Sequence, residues 1–506
     1  TLYGTQWAVH NTGQTISSPT YATNNPGSSG MDLNLEDAWD ITQGSSSVVV
    51  AVLDSGVNYN HGDLASNMWD DGSGNKGYDF VDNDNDPMDY NGHGTHVAGI
   101  IGAVGNNSSG VAGVCWNVKI MAVRVLNTLG VGTTEDIVSG INYAVTNGAK
   151  VINMSLGGED AFDQSFSDAI ENAKNNGVLV VVASGNGGTD GVSDDVDGPG
   201  EDSDSSTKIY PCAFTHDNLI CVAALDQSYD LATFSNYGST SVDVAAPGVN
   251  INSLWHGTTT EVTDDFNNSG ALDWNTNASG LRFAYLNVSS NDYLVFPENF
   301  DGTLKSFSSS ELGNAQKVLT INGSADVITM SMYVDTTVFE YDDFSIYYSP
   351  DASFGLYDIT NSSNLISSIE NYTTNGYLVP FEFDITGKAT GDNDANVGFE
   401  FWKSSFSSNM YGVAIYDFKI NTTVLDATSI KLTDGTSMAS PYVAGLAALV
   451  LSYNSEYTVE DLKNSVTNGG DDVSVLSDKT TTGKAIDAYG SLTYLTTPSG
   501  LQAQEL

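Results

Sequence analysis

The first half of the chain alternates between continuous apolar runs and segments with helical periodicity. Four runs rich in Val and Ile are apolar on both faces: SSVVVAVLD, VKIMAVRVL, AKVINMSL and GVLVVVASG. Between them lie helical patterns such as GTHVAGIIGAV, EDIVSGINYAVTNG and SDAIENAKNNG. This alternation predicts an α/β fold, a parallel sheet with helices on both faces, in which chemistry collects at the carboxyl ends of the strands.

The pattern changes after residue 255. From about residue 258 to residue 427 the helical period is lost, and short alternating runs such as DVITMSMYV, DFSIYYS and GVAIYDFKI are separated by turn residues. These runs predict an all-β sandwich of domain size. Because helical signals return at Gly435, we expect the β domain to be inserted into the α/β domain.

These changes in pattern divide the chain into four segments. Residues 1–257 and 428–492 are the two parts of the α/β domain, and residues 258–427 are the insert. Residues 493–506 are expected to begin a linker or tail, after which further domains have been trimmed. Residue 1 is not followed by a basic and then apolar signal segment, so we expect a processed chain.

The composition restricts the possible partners. The chain has 63 acidic and 16 basic side chains, for a formal charge of -47, which excludes nucleic acid and anionic membrane as natural partners. The charge suits a soluble protein in a salty medium. The apolar runs are too short to cross a bilayer, so no membrane span is expected.

The three cysteines have different surroundings. Cys212 and Cys221 bracket the loop PCAFTHDNLIC, and we predict a disulfide between them, with two small buried thiols as the alternative. Cys115 begins a buried strand and is expected to be an inert thiol.

Ser437 precedes a long apolar helix in the segment LTDGTSMASPYVAGLAALV. We expect the helix to start near Ser437, with Pro441 in its first turn, and to be buried on most faces because its residues are small. An ordinary N-cap serine would not need such surroundings. The pattern favours a nucleophile at a helix N-terminus, where free N–H groups and the helix dipole favour developing negative charge.

Such a nucleophile needs a base and an orienting acid. Asp54 ends a buried strand in AVLDSGV, and His93 begins a helix in NGHGTHVAGI with glycines on both sides. Each residue alone is more often structural: an aspartate at that position is commonly a turn or cap residue. The remaining histidines are expected to be structural: His10, His61, His96, His216 and His256.

Together, AVLDSGV, NGHGTHVAGI and GTSMASPYVAG resemble the three signature segments of the subtilisin-like serine peptidases, nearer to thermitase and other calcium-dependent bacterial members than to the proprotein convertases. The similarity covers most of residues 1–255 and 430–490. It implies a subtilisin-like parallel sheet in which Ser437 is the nucleophile, His93 the general base and then acid, and Asp54 the group that orients His93.

The resemblance also implies an oxyanion hole and a substrate cleft. Asn186, in VVASGNGG, would complete the hole with the backbone N–H of Ser437. The segments LGVG and NMSLGG would pair with an extended peptide as added strands. Their residues, with those expected to line the S1 wall, are Gly130, Val131, Gly132, Ser155, Leu156, Gly157, Ala183 and Gly185. The pocket base is not assigned, because the acidic run at 190–206 intervenes; a solvated loop, a calcium site or attraction of a basic side chain all fit that run.

Two calcium sites are expected from the same resemblance. The acidic loop ahead of the candidate histidine places hard oxygen ligands at alternate positions, and carboxylates this dense repel one another unless a cation lies among them. Its expected ligands are Asp79, Asp84 and Asp86. A second site would use Asp63 with Asn106 or Asn107. Zinc is not expected, because the sequence has no His/Cys cluster.

These features predict a secreted, calcium-dependent serine endopeptidase that acts on protein or peptide substrates through an acyl-enzyme. The family resemblance implies a propeptide that assists folding, and we expect a monomer, with possible surface attachment through a trimmed C-terminal region. The inserted domain resembles the jelly-roll modules of secreted bacterial peptidases and is expected to shape substrate access or hold a macromolecular substrate. A passive spacer, a processing peptidase with one partner substrate, and an adhesion or binding protein that uses the insert remain alternatives.

Overall fold

The computed structural model describes residues 2–17, 20, 23–159, 162–187, 193–197, 208–264, 275–276, 282–288, 291–298, 311–320, 325–336, 343–349, 365–370, 379–384, 394–403 and 413–495. The chain divides into two units, residues 1–257 with 426–506 and residues 258–425. Most of the acidic run at 190–206, and residues 496–506 of the tail predicted at 493–506, lie outside the described residues.

The first unit contains most of the short strands. Before the second unit begins they are β1 Val49–Asp54, β2 Gly77–Asp79, β3 Lys119–Arg124, β4 Val151–Met154, β5 Gly158–Glu159, β6 Leu179–Ala183, β7 Ile209–Tyr210, β8 Leu219–Leu225, β9 Val244–Pro247 and β10 Ile251–Leu254. The strands of the second unit are β11 Gly257–Asp264, β12 Asn275–Thr276, β13 Arg282–Val288, β14 Asn291–Glu298, β15 Glu311–Thr320, β16 Val327–Thr336, β17 Asp343–Ser349, β18 Leu365–Glu370, β19 Val379–Asp384, β20 Asp394–Lys403 and β21 Val413–Leu425. Back in the first unit follow β22 Ile430–Thr433, β23 Asp471–Asp472 and β24 Lys484–Ala485.

The helices of the described residues all belong to the first unit. They are α1 Leu35–Ile41, α2 His93–Gly102, α3 Thr134–Thr146, α4 Gln164–Asn175, α5 Thr436–Tyr453, α6 Val459–Asn468 and α7 Ala488–Tyr494. Short 3-10 turns are Tyr3–Thr5, Ala65–Asn67 and Ser474–Leu476. Within the described ranges, none of these helices combines the length and the apolar character needed to cross a membrane.

A nine-stranded sheet organises the first unit, with strand order β2-β3-β1-β4-β6-β8-β9-β24-β23, beside the two-stranded pairs β10-β22 and β5-β7. Its pairs are parallel from β2 to β24, and only β23 with β24 is antiparallel. The predicted α/β fold is confirmed: the Val-rich runs form the central strands, which are buried almost throughout. Helix α5 contacts β4, β6, β8 and β9, and its small side chains let it pack close to them.

The second unit consists of antiparallel strands in two sheets. One has the order β13-β14-β21-β16-β19, with β11 also paired to β21, and the other has the order β12-β15-β20-β17-β18. Apolar side chains of both sheets are buried, among them Ile328 and Phe418 of the first sheet and Ile346 of the second. The secondary-structure elements described for this unit are therefore all β-strands, as the alternating runs indicate, and its jelly-roll class stays a prediction.

Candidate functional site

The candidate residues meet at one edge of the parallel sheet. Asp54 is the last residue of β1, while Ser155 follows β4 and Asn186 follows β6. Because β1, β4 and β6 are parallel neighbours, their carboxyl ends lie side by side.

Asp54 and His93 form a hydrogen-bonded pair. Nδ1 of His93 lies 2.7 Å from Oδ1 of Asp54, which also accepts the N–H of Ser55 at 2.8 Å. Asp54 is fully buried, whereas 30% of the His93 side chain is exposed. Burial alone would lower the pKa of His93, but the charge and hydrogen bond of Asp54, with a contribution from Asp89, raise it. The pair leaves Nε2 of His93 as the ring nitrogen available for proton transfer.

Asp89 organises the start of the helix that carries His93. Its fully buried carboxylate accepts the Ser55 hydroxyl at 2.9 Å and the backbone N–H groups of Asn91, Gly92 and Thr95 at 2.8–2.9 Å. Asp89 is not among the predicted site residues. An Asp shortly before a helix start is a capping signal that would have identified it.

The nucleophile helix begins one residue before Ser437, close to the predicted start. The predicted position of Pro441 is wrong, because this proline is the sixth residue of α5 and lies in its second turn. A residue with an N–H at position 441 would donate it to the main-chain oxygen of Ser437, four residues earlier, but proline has no N–H. The hydroxyl of Ser155 fills that place, donating to the Ser437 oxygen at 2.9 Å. Ser155 itself is held by Asn153, whose Nδ2 donates to its Oγ at 3.0 Å.

The Ser437 side chain rests against β4 rather than against the imidazole. Its Oγ donates to the main-chain oxygen of Ser155 at 3.3 Å. Catalytic hydrogen bonds often form only when substrate is bound. This hydrogen bond therefore leaves open a rotation of the Ser437 side chain toward His93 when a ligand is bound.

The side-chain nitrogen of Asn186 and the backbone nitrogen of Ser437 border the same space beside Gly435. Oδ1 of Asn186 accepts both the N–H of Thr436 at 2.8 Å and its hydroxyl at 2.9 Å, which fixes the amide and leaves its Nδ2 for a ligand. A Cβ atom on Gly435 would lie 3.5 Å from Nδ2 of Asn186 and 3.6 Å from the nitrogen of Ser437. The glycine therefore leaves open a volume that both donors face.

Two adjoining cavities, of about 530 Å³ and 400 Å³, form the cleft. The first is lined by Asp54 and His93, and the second by Asn186 and Ser437. The predicted substrate-binding residues are divided between them, namely Gly130, Val131, Gly132 and Ser155 in the first, Ala183 and Gly185 in the second, and Leu156 and Gly157 in both.

Several lining residues have no counterpart in the sequence prediction: Asn91, Phe166, Ile209, Tyr210 and Asn236. Cγ2 of Ile209 would lie 3.2 Å from a Cβ on Gly157 and 3.5 Å from a Cβ on Gly185. The side chain of Ile209 thus lies close to both Gly157 and Gly185, and it narrows the second cavity. Its strand β7 follows the acidic run, so no local signal in the sequence places it there.

The predicted disulfide joins the chain just after β7 to the centre of β8. Cys212 and Cys221 are bonded and both are buried, while Cys115 is a buried free thiol whose pKa burial raises to about 12. The disulfide tethers the segment that contains Ile209 and Tyr210 to a central strand.

An arginine side chain from β3 lies among the carboxylates of the acidic loop ahead of His93. The buried guanidinium of Arg124 contacts the carboxylates of Asp79, at 2.6 Å, and Asp82. Both oxygens of Asp79 are engaged, since Oδ1 accepts the N–H groups of residues 81 and 82. Asp84 accepts the N–H of Asp86. Among the described residues, no group of three or more His, Cys, Asp or Glu side chains is arranged to hold a metal, and calcium binding here stays a prediction.

Asp63 has a different environment. Its buried carboxylate accepts the side-chain amide of Asn107 and the N–H of Val111, at 2.9 Å for the latter, and burial raises its pKa. A Cβ on Gly110 would lie 2.1 Å from Oδ2 of Asp63, so the loop at 106–111 closes tightly over this oxygen. A bound cation would offset the burial of this carboxylate among neutral donors, and calcium binding at Asp63 and Asn107 stays a prediction. Asn106 lies in the same loop, with a positive φ of 55°.

A buried carboxylate that holds an imidazole near a helix-start serine is the arrangement of a serine hydrolase, and here it stands at the edge of a parallel sheet. The chain matches the model of the Subtilase family, Peptidase S8, over residues 45–291 and 310–484. It therefore belongs to the subtilases, a family of serine endopeptidases.

Named relatives agree with this assignment. A "Thermophilic serine proteinase" of Bacillus sp. (strain AK1) is 49% identical over 42% of this chain and 47% of its own length. "Thermitase" of Thermoactinomyces vulgaris is 44% identical over 42% of this chain and 66% of its own length. "Halolysin" of Haloferax mediterranei is 33% identical over 78% of this chain and 68% of its own length. The chain thus spans about half of the first relative and just under two thirds of the second.

Proposed function

We propose that this chain is a secreted serine endopeptidase that cleaves peptide bonds through an acyl-enzyme, with Ser437 as nucleophile, His93 as general base and then acid, and Asp54 as the orienting acid. The observation that carries the proposal is the Asp54–His93 pair, which lines the same cleft as Ser437 and Asn186. Support for secretion comes from the disulfide, which persists in oxidising compartments.

In the first half of the reaction, Oγ of Ser437 attacks the peptide carbonyl and its proton passes to Nε2 of His93. Asp54 stabilises the resulting imidazolium, and Nδ2 of Asn186 with the N–H of Ser437 donates to the oxyanion. The C–N bond then breaks, and His93 gives its proton to the leaving amine. In the second half, His93 deprotonates a water molecule that attacks the acyl ester. The bond between the acyl carbon and Oγ of Ser437 then breaks, His93 returns the proton to Oγ, and the product with the new carboxyl group leaves.

Substrate recognition would use backbone hydrogen bonds. Residues 130–132 and residues 155–157 both line the cleft, and we propose that a peptide in extended conformation lies between them and pairs with both. We propose that the second cavity, lined by Ala183 and Gly185, receives the side chain on the acyl side of the cleaved bond.

Calcium would have a structural role in this proposal. Asp63 and Asn107, with Asn106 nearby, would hold one ion, and its charge would compensate the buried carboxylate. Asp79, Asp84 and Asp86 are proposed for a second ion. The contact of Asp79 with Arg124 makes this second set the weaker candidate.

The inserted unit is proposed to shape access to the cleft or to hold a macromolecular substrate. Its chain leaves and returns through β10 and β22, and β22 is followed closely by Ser437. Deletion of residues 258–425 should change the turnover of an intact protein more than that of a short peptide. Equal effects on both substrates would contradict this role.

The main proposal is tested with the purified chain and its Ser437→Ala variant. A serine-directed sulfonyl fluoride should label the unmodified chain at Ser437, and a mixed peptide library should be cleaved by that chain alone. Absence of both labelling and cleavage in a folded, propeptide-free chain would contradict the proposal and favour a binding protein.

A further inference from the structure

Two short strands of the first unit form the stem through which the chain leaves for the second unit and returns. They are β10 and β22, which pair antiparallel. Beyond the strands, the N–H of Trp255 donates to the oxygen of Ser429 at 2.8 Å, and the N–H of Asp426 donates to the oxygen of His256 at 3.0 Å. We call β10, β22 and these two closing hydrogen bonds the stem.

The stem is tied to the helix that carries His93. His96, three residues further along α2, is fully buried. Its Nε2 lies 3.1 Å from the main-chain oxygens of Ile251 and Lys431 and from Oγ1 of Thr433. One imidazole therefore contacts both strands of the stem at once.

His96 is suited to a structural hydrogen bond and not to proton transfer. Burial, together with the nearby His93, lowers its pKa to about 3. The ring is neutral at neutral pH, so with the proton on Nε2 it donates to the oxygens of the stem. A second hydrogen bond is donated by the stem to the helix: Oγ of Ser253 donates to the main-chain oxygen of His96 at 2.7 Å.

Trp255 covers the beginning of the same helix. A Cβ on Gly92, the residue just before α2, would lie 2.4 Å from two carbon atoms of the indole ring. Lys431 lies on β22, the other strand of the stem. Its ammonium is 3.8 Å from a ring centre of the Trp255 indole. The ring also meets His96 edge-on, with centroids 6.2 Å apart. Trp255 thus links the helix start to β22.

We propose that His96 and Trp255 are positioning residues that hold the helix carrying His93 against the strand leading to Ser437. The stem of the inserted unit is then part of the structure that sets the distance between base and nucleophile. The inference rests on the proposed function, since it concerns how the triad is assembled.

The physical reason is the sensitivity of catalysis to distance. Ser437 and His93 lie on different helices, and the hydroxyl has to rotate from Ser155 toward the imidazole. A displacement of about 1 Å between reacting groups can lower turnover about 10²-fold. Contacts that fix α2 relative to β22 therefore act on turnover more than on substrate binding.

The experiment compares kcat, KM and sulfonyl fluoride labelling per folded molecule in the full chain and its variants. His96→Ala and Trp255→Ala should each lower kcat about 10- to 100-fold while KM changes less than about threefold. Trp255→Phe keeps a ring over Gly92 and should retain most activity. Trp69→Ala, at another partly buried tryptophan of the same unit, is the matched control and should leave kcat unchanged. If His96→Ala does not fold, His96→Gln, which keeps a donor, replaces it and should lower kcat with little change in KM.

The pH profile separates positioning from loss of folded protein. The groups that act on His93 include Asp54, Asp89 and His96. If His93 shifts away from Asp54, its pKa falls, so the midpoint of the acid limb of kcat should move to lower pH in Trp255→Ala. Loss of folded protein would only reduce the height of the profile.

Two outcomes overturn the inference in distinguishable ways. An active unmodified chain whose His96→Ala and Trp255→Ala variants keep their kcat and acid limb overturns this inference alone. An unmodified, folded chain that neither cleaves nor is labelled overturns the proposed function, and this inference with it.

Discussion

The hydroxyl of Ser155 donates to the main-chain oxygen of Ser437 at 2.9 Å, and it replaces the N–H that Pro441 lacks. A helix with a proline in its second turn leaves one carbonyl oxygen without its usual partner. In this chain the carbonyl belongs to Ser437, the proposed nucleophile, and the missing donor is supplied by Ser155, which follows β4 and lines the cleft. The first turn of α5 is thereby fixed to β4.

Ser155→Ala should therefore lower kcat about tenfold with little change in KM. An unsatisfied buried carbonyl costs about 1–3 kcal/mol, and the nucleophile it belongs to becomes less well fixed. Steady-state kinetics on a short peptide measure the effect. In the double variant Ser155→Ala, Pro441→Ala, residue 441 regains an N–H for the Ser437 oxygen, so part of the activity should return. No recovery in a folded double variant would count against this explanation.

Gly435→Ala should lower kcat by about 10²-fold or more. The added methyl group would enter the volume faced by Asn186 and the Ser437 N–H, and the residue would keep a φ of 146°, which L side chains rarely adopt. Gly148→Ala is the matched control, because Gly148 has a positive φ of 85° and open space at its Cβ. If both variants lose kcat equally, backbone strain and not oxyanion binding is responsible.

Ile209→Gly should widen the second cavity and shift cleavage toward large aromatic residues on the acyl side. Each methylene of pocket space is worth about 1–3 kcal/mol of discrimination, so the ratio of kcat/KM for Phe over Ala should rise at least tenfold. Val131→Ala, in the first cavity, should leave that ratio unchanged. Competition between two peptides that differ at this position gives the measurement, and an unchanged ratio in Ile209→Gly would show that Ile209 does not limit the pocket.

The pH dependence should follow the raised pKa of His93. Activity needs the neutral imidazole, so it falls as the pH drops through this pKa, and the acid limb of kcat/KM should lie above the usual histidine value of 6.5. The same shift stabilises the folded chain below the unfolded pKa, and this contribution disappears as the pH rises through the folded pKa. Asp54→Asn should move the limb to lower pH and reduce kcat by about 10⁴-fold. A limb that does not move would remove Asp54 as the cause.

Removal of calcium should lower the melting temperature of the unmodified chain. A bound ion at 100 times its Kd stabilises the folded state by about 2.7 kcal/mol. Asp63→Asn should lower the melting temperature in calcium and reduce the further effect of a chelator. Asp84→Asn is the comparison for the acidic loop. An equally large chelator effect in Asp63→Asn would place the stabilising ion elsewhere.

Much of the site follows from the sequence because its residues lie within local patterns. Asp54 ends a Val-rich strand, and His93 and Ser437 begin helices. Parallel strands joined by helices place their carboxyl ends at one edge, so the meeting of Asp54, Ser155 and Asn186 could be expected from the order of elements. The disulfide is likewise a short-range feature, because the sequence separation of Cys212 and Cys221 is 9.

Other features depend on residues far apart in the chain. Arg124 lies among the acidic side chains of residues 79 and 82, and Ile209 reaches the wall formed by Gly157 and Gly185. The spacing of hydrophobic residues along the sequence does not predict which long side chain contacts which distant loop, because such contacts depend on how the elements pack.

By itself, the sequence determined the α/β class, and it predicted the Asp54, His93 and Ser437 set and an inserted β unit. The tertiary structure alone decided that Ser155 replaces the N–H missing at Pro441, and that His96 joins both strands of the stem. Local patterns report burial and chain direction, because these depend on neighbours in sequence. Contacts across hundreds of residues depend on how the sheet and helices pack in three dimensions.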